Sequence, residues 1–172
     1  TYFSPLADTS LPDVGFVYLP GGYPELYLAA LSANRQMLQS IRRYVESGGK
    51  LLAECGGMMY LCDEIRDKNG DVYPMAGVLH QSATMENMKL RLGYRTLLYN
   101  ETRLKGHEFH YSRLVEQQNP LPSCAVAYTA KGVETDTPLY HYKNVWAGYT
   151  HLYWADPVGN EWFTKFVIDG NT

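Results

Sequence analysis

The sequence is short of cysteine, of unbroken apolar stretches and of positive charge. Cys55, Cys62 and Cys124 are the only thiols among 172 residues, an odd set with no C-x-x-C spacing. That excludes a disulfide framework and a zinc-finger pattern, so no metal site is expected, and a reducing cytoplasm suits the chain best. No apolar run approaches the ~20 residues that span a bilayer, and no signal peptide is visible. Lysine and arginine number 15 against 18 acidic residues, giving a formal charge of −3 with no basic stripe. Nucleic acid and anionic membrane surfaces are therefore not expected partners. Internal repeats and low-complexity linkers are missing too.

What is present is globular. Hydrophobic residues make up 45 % of the chain, enough for one domain over residues 1–172 with a proper core. GFVYLP (15–20) reads as a buried strand ending in a tight GGYP turn. Met37, Leu38, Ile41, Tyr44 and Val45 recur at helical spacing, and Ser47-Gly48-Gly49 stops that helix. KLLAEC (50–55) is a second buried strand, with GGMMYLCDEI expected to continue as helix. Strand and helix alternating in this order imply a parallel sheet with right-handed crossovers. Beyond residue 72 the texture becomes short alternating runs rich in tyrosine and threonine: GYRTLLYNETRL, GHEFHYSRLVE, CAVAYTAKG, TPLYHYKNV and WAGYTHLYW. These read as antiparallel hairpins, and EWFTKFVI (161–168) as a closing helix.

The stretch LLAECGGMMYL carries the chemistry. A strand that runs into a helix through one residue forces that residue into a cramped turn. The positions two before and two after it must then be small, and here they are Ala53 and Gly57. This is the nucleophile-elbow pattern with Cys55 as the nucleophile. It is expected to lift the sulfur above the sheet edge, sets the thiol at a helix N-terminus, whose dipole favours thiolate, and offers the Gly56 N–H to an oxyanion. Pro20-Gly21-Gly22-Tyr23 is the expected second donor turn, with Gly22 supplying the N–H and Gly21 in support.

A cysteine nucleophile needs an imidazole within reach. His80, His107, His110, His141 and His151 are the candidates. His107 and His110 fall on opposite sides of a strand, whereas Glu108 and His110 share a face and could pair. His141 is expected to be exposed, and His151, at the end of a late aromatic strand, is the candidate base.

LPGGYPE, AECGGMMYL, GHEFHYS and GYTHLYW together resemble the C-terminal glutaminase domains of the cobyrinate a,c-diamide synthases, over nearly the whole chain. These are class I-like glutamine amidotransferase domains of the cobalamin pathway. The resemblance implies an α/β, flavodoxin-like fold: a mixed, mostly parallel sheet with helices on both faces and antiparallel hairpins in the second half. It implies a glutaminase that forms a thioester on Cys55 with His151 as base, and an oxyanion held by Gly22 and Gly56. Glutamine is the substrate. An N-terminal synthetase domain, with its own ATP and magnesium, would bind the corrin whose carboxylates receive the ammonia. No cofactor is expected in this chain, which opens at Thr1 in mid-phrase and reads as an excised domain.

Two departures stand out. Most class I glutaminases carry His-x-Glu, but here the run is His151-Leu152-Tyr153, and Glu108, with His110 in support, is the expected substitute acid. Met59 stands where many relatives have glutamine, which favours the diamide-synthase type over cobyric acid synthase. The alternatives are a hydrogenobyrinate diamide synthase or cobyric acid synthase glutaminase, a cysteine amidase or peptidase, and a non-catalytic module on the same fold.

Overall fold

The computed structural model describes residues 1–169. The chain enters β1 (Phe16–Leu19) and passes through a 3-10 turn (Pro24–Leu26) into α1 (Leu28–Ala33) and α2 (Arg35–Glu46). Then come β2 (Lys50–Glu54), α3 (Gly56–Leu61), β3 (Glu64–Arg66), β4 (Val72–Pro74) and β5 (Ser82–Thr84). The second half supplies β6 (Arg91–Tyr99), β7 (Thr102–His110), β8 (Arg113–Leu114), β9 (Val126–Thr129) and β10 (Glu134–Thr135). It closes with β11 (Leu139–Tyr142), β12 (Val145–Gly148), β13 (His151–Leu152), α4 (Pro157–Thr164) and a π-helical turn at Lys165–Asp169.

Three sheets result. In the first, β1, β2 and β12 run parallel and β11 is antiparallel on the edge. The second is antiparallel throughout, in the order β10-β9-β6-β7-β13, and a small mixed sheet runs β4-β3-β5-β8. The period-2 alternation of strands divides the core. Val17, Leu19, Leu51, Ala53, Val145 and Ala147 pack with buried residues of α1, α2 and α3. On the other face Leu52 and Trp146, with Phe16 and Tyr18 beside them, pack against Trp162 and Phe166 and against Leu97 and Leu104 of the antiparallel sheet. The parallel sheet is thus covered on both faces, by helices on one and by α4 plus the second sheet on the other.

Local chemistry explains the elements. The side chain of Asn34 accepts the Met37 N–H at 3.3 Å and caps α2, which buries Met37, Leu38, Ile41 and Val45. Gly48, at φ +91°, ends it. Asn100 and Glu101 both take positive φ, the conformation that a two-residue hairpin between β6 and β7 needs.

Two expectations are corrected. The helix after Cys55 stops at Leu61 rather than running through CDEI, because the Asp63 N–H donates to the Gln81 carbonyl at 2.8 Å and draws Glu64–Arg66 into the third sheet. The WAGYTHLYW run is not one antiparallel hairpin. β12 pairs antiparallel with β11 but parallel with β2, and β13 joins the other sheet. All four residues of β12 are buried, which suits a strand covered on both faces rather than a half-exposed hairpin arm.

Candidate active site

β2 delivers Cys55 to the turn before α3 with φ 49° and ψ −113°, a conformation that costs a non-glycine residue on the order of 1–3 kcal/mol. The surroundings hold it there. Its N–H donates to the Gly148 carbonyl at 2.8 Å, and its own carbonyl accepts the Met59 N–H at 3.1 Å. The crowding behind the turn is real: a Cβ on Gly57 would sit 2.8 Å from the Leu19 Cβ and nearer still to the Leu19 carbonyl oxygen. The sulfur is enclosed rather than raised clear of the sheet, with Cys55 only 6 % exposed. Its Sγ lies 3.8 Å from the Phe109 carbonyl oxygen at the end of β7, while the Gly21 turn closes in from another side.

The Gly21–Gly22 turn meets the elbow directly. Both glycines have positive φ, +118° and +124°. A Cβ on Gly21 would lie 3.0 Å from the His151 Cε1 and 3.6 Å from the Cys55 Cβ. A Cβ on Gly56 would lie 2.5 Å from the Gly22 carbonyl oxygen. The backbones of the two turns therefore approach as closely as they do because these positions lack side chains.

His151 arrives from the antiparallel sheet. β13 pairs with β7 in the register His151↔His107 and Leu152↔Gly106. Gly106 allows this approach, since a Cβ there would sit 2.6 Å from the Thr150 Cγ2 and would strike the His151 carbonyl oxygen. The imidazole flanks the Gly21 turn together with Cys55, and its Nδ1 lies 3.6 Å from the Glu54 Oε2. The neighbouring Cys55 first, and Glu54 second, raise its pKa to about 9 against the opposing effect of burial. His107 stacks on it at 5.2 Å between ring centroids, and Tyr153 stacks on His107 in turn. Burial, aided by the neighbouring His151, lowers the His107 pKa, so the stacked pair carries its positive charge on His151.

The thiol, the imidazole and two glycine turns thus converge where a parallel strand ends. The sequence profile of the CobB/CobQ-like glutamine amidotransferase domain matches residues 1–158. The chain belongs to that family. It is 40 % identical over 157 residues to a hydrogenobyrinate a,c-diamide synthase of Pseudomonas aeruginosa, covering 88 % of this chain and 34 % of that protein. It is 39 % identical over 160 residues to a cobyrinate a,c-diamide synthase of Fusobacterium nucleatum, covering 88 % of this chain and 35 % of that one. This amidotransferase domain therefore spans about a third of the length of these curated relatives. A solved structure described as a glutamine amidotransferase shares the fold, with a TM-score of 0.55 at 18 % identity over 90 % of this chain and 79 % of its own.

Glu108 and His110 lie elsewhere in this amidotransferase domain. Along β7 His107 points toward His151, so Glu108 takes the opposite face, where it is fully buried. Its Oε2 pairs with the Arg95 Nη2 at 3.0 Å and stands 3.7 Å from the His110 Nε2. Burial raises the Glu108 pKa, but His110, Thr137 and Arg95 outweigh it and bring the net shift downward. The His110 ring stacks on Tyr149 at 3.7 Å, and its Nδ1 meets the Ser112 carbonyl oxygen at 2.9 Å. The expected Glu108–His110 pairing is present, but neither residue reaches His151. The acid that does reach it, Glu54, was missed. Its position beside Cys55 was the available signal, but orienting acids are looked for after the histidine. The other thiols lack this setting: burial drives the Cys62 pKa up, and raises that of Cys124 to about 11.

Proposed function

We propose that this chain is the glutaminase unit of an a,c-diamide synthase. Glutamine would be its substrate, and an ATP-dependent synthetase unit of the longer protein would receive the ammonia. The observation that carries the reading is the meeting of His151 and Cys55 at the Gly21 turn, with the cysteine held at φ 49°. Cys55 Sγ attacks the carboxamide carbon, a C–S bond forms, and the carbonyl electron pair moves to oxygen. The N–H groups of Gly56 and Gly22 are the assigned oxyanion donors, and removing one such donor typically costs about 10²–10³ in rate. Collapse breaks the C–N bond, and the His151 imidazolium passes its proton to the departing nitrogen.

Acylation takes away the Cys55 thiol as a partner, the first cause of the raised His151 pKa, so the imidazole can then accept a proton from water. Water adds to the thioester, the C–S bond breaks, and glutamate leaves with Cys55 restored. Glutamine and water are consumed, and glutamate and ammonia are released. Corrin carboxylates are the assigned acceptors, in keeping with the names of the relatives, and ATP with magnesium belongs to the synthetase unit. Among the described residues no group of three or more His, Cys, Asp or Glu is gathered that could hold a metal ion, and no step above runs through one. Among them, too, no helix is long and apolar enough to cross a membrane. We place the protein in the reducing cytoplasm on the strength of its three free thiols.

The test is covalent. A glutamine-like electrophile, 6-diazo-5-oxo-norleucine, should add one label at Cys55 by peptide mass mapping, and Cys55→Ala should take up none. Label that persists in the variant, or goes to Cys62 or Cys124, overturns the assignment. Glutamine should also outcompete peptides and simple amides as protectant.

A further inference from the structure

We infer that Glu54, the residue immediately before the nucleophile, is the positioning acid of this site, holding Nδ1–H of His151 so that Nε2 faces Cys55 Sγ. The inference rests on the glutaminase reading above and deepens it. The usual third member would follow the histidine, where this chain has Leu152 and Tyr153. The fold supplies a carboxylate from the other direction. Because strand side chains alternate, Glu54 shares the face of β2 with Leu52, the face that looks toward the antiparallel sheet carrying His151.

Glu54 is 2 % exposed, and each of its oxygens has a task. Oε1 accepts the Leu152 N–H at 3.1 Å, which ties β13 to the end of β2. Oε2 accepts the Tyr18 hydroxyl at 2.7 Å and lies 3.6 Å from the His151 Nδ1. The Trp154 Nε1 donates in turn to the Tyr18 oxygen at 3.5 Å. Burial, with Glu54 beside it, raises the Tyr18 pKa, so the hydroxyl stays a donor. A buried carboxylate needs a cation nearby, and the ion pair recorded for Glu54 among the described residues is with His151. The groups facing the imidazole are then Cys55, Glu54 and the stacked His107. Glu54 is the carboxylate among them.

A purely structural role would be satisfied by the bond to Leu152, and that separates the two readings. Glu54→Gln keeps an oxygen for the Leu152 N–H but turns an NH2 toward Nδ1. That favours the tautomer with its proton on Nε2, which cannot take the thiol proton. Three measurements on this chain and its Glu54→Gln variant decide the matter: thermal unfolding, labelling by 6-diazo-5-oxo-norleucine at a series of concentrations and pH values, and 15N-detected titration of His151. The expected result is a folded variant with an unchanged half-saturating concentration of electrophile and a maximal labelling rate lower by about 10²-fold. Its imidazolium should titrate well below the value of about 9 for the parent site. Glu54→Asp, which keeps the charge on a shorter stem, should recover part of the rate.

A Glu54→Gln variant that labels and titrates like the parent overturns the role of Glu54 while leaving Cys55 and His151 in place. A parent chain in which Cys55 takes no label overturns both readings. If Glu54→Gln fails to fold, the parent titrated above pH 9, where its imidazole is neutral, decides: a proton on Nδ1 with Nε2 toward sulfur supports the proposal, and the reverse tautomer overturns it.

Discussion

Cys55 concentrates cost and purpose in one torsion angle. Its positive φ is tolerated because Gly148, Met59 and the crowded Gly57 fix the backbone on either side. Gly57→Val would drive a branched side chain into Leu19, and overpacking of this kind costs about 1–3 kcal/mol or more. The expected outcome is a lower unfolding temperature together with lost electrophile labelling. His151 gives a pH signature of the same site. Its folded pKa, about 9, lies above its ordinary value of 6.5. The stability it contributes is therefore fully present below pH 6.5 and disappears as pH rises through about 9. Denaturant midpoints between pH 6 and 10 should fall across that window, and His151→Ala should flatten the fall. The elbow was legible in the sequence because its constraint is local: small residues at two fixed distances from the nucleophile. Glu54 was not, since the proximity of Glu54 to His151 depends on which way one strand faces and where another sheet lies.

β13 is two residues long, yet it carries the base. Two register pairs to β7, the Tyr153 N–H to the Lys105 carbonyl at 2.9 Å and the Glu54–Leu152 bond hold it. Gly106 is the position where this attachment is most easily broken. Gly106→Val should push β13 off β7 and abolish labelling of Cys55, while the helical content seen by circular dichroism is retained. β12 shows why the late strands were only partly legible. Its hairpin with β11 is written in a nearby turn, whereas its parallel pairing with β2 joins residues about 94 apart. The β6–β7 hairpin was read correctly because its turn is local and both strands are long.

Across the molecule, two cores meet at the parallel sheet, and the reactive groups stand where its strands end. The antiparallel sheet holds its own buried pair, Arg95 with Glu108, whose side chains are 11 % and 0 % exposed. Glu108→Ala would leave Arg95 without its carboxylate, and breaking a buried pair typically costs 3–5 kcal/mol. A large drop in unfolding temperature is expected, and alkylation of Cys55 in whatever fraction remains folded should proceed at the parent rate. That result would separate Glu108 from the chemistry to which sequence reasoning had assigned it. The thiol rides on one sheet and its imidazole on another, with the carboxylate of Glu54 spanning the seam between them. A shift of β13 along that seam would part sulfur from imidazole without altering either side chain.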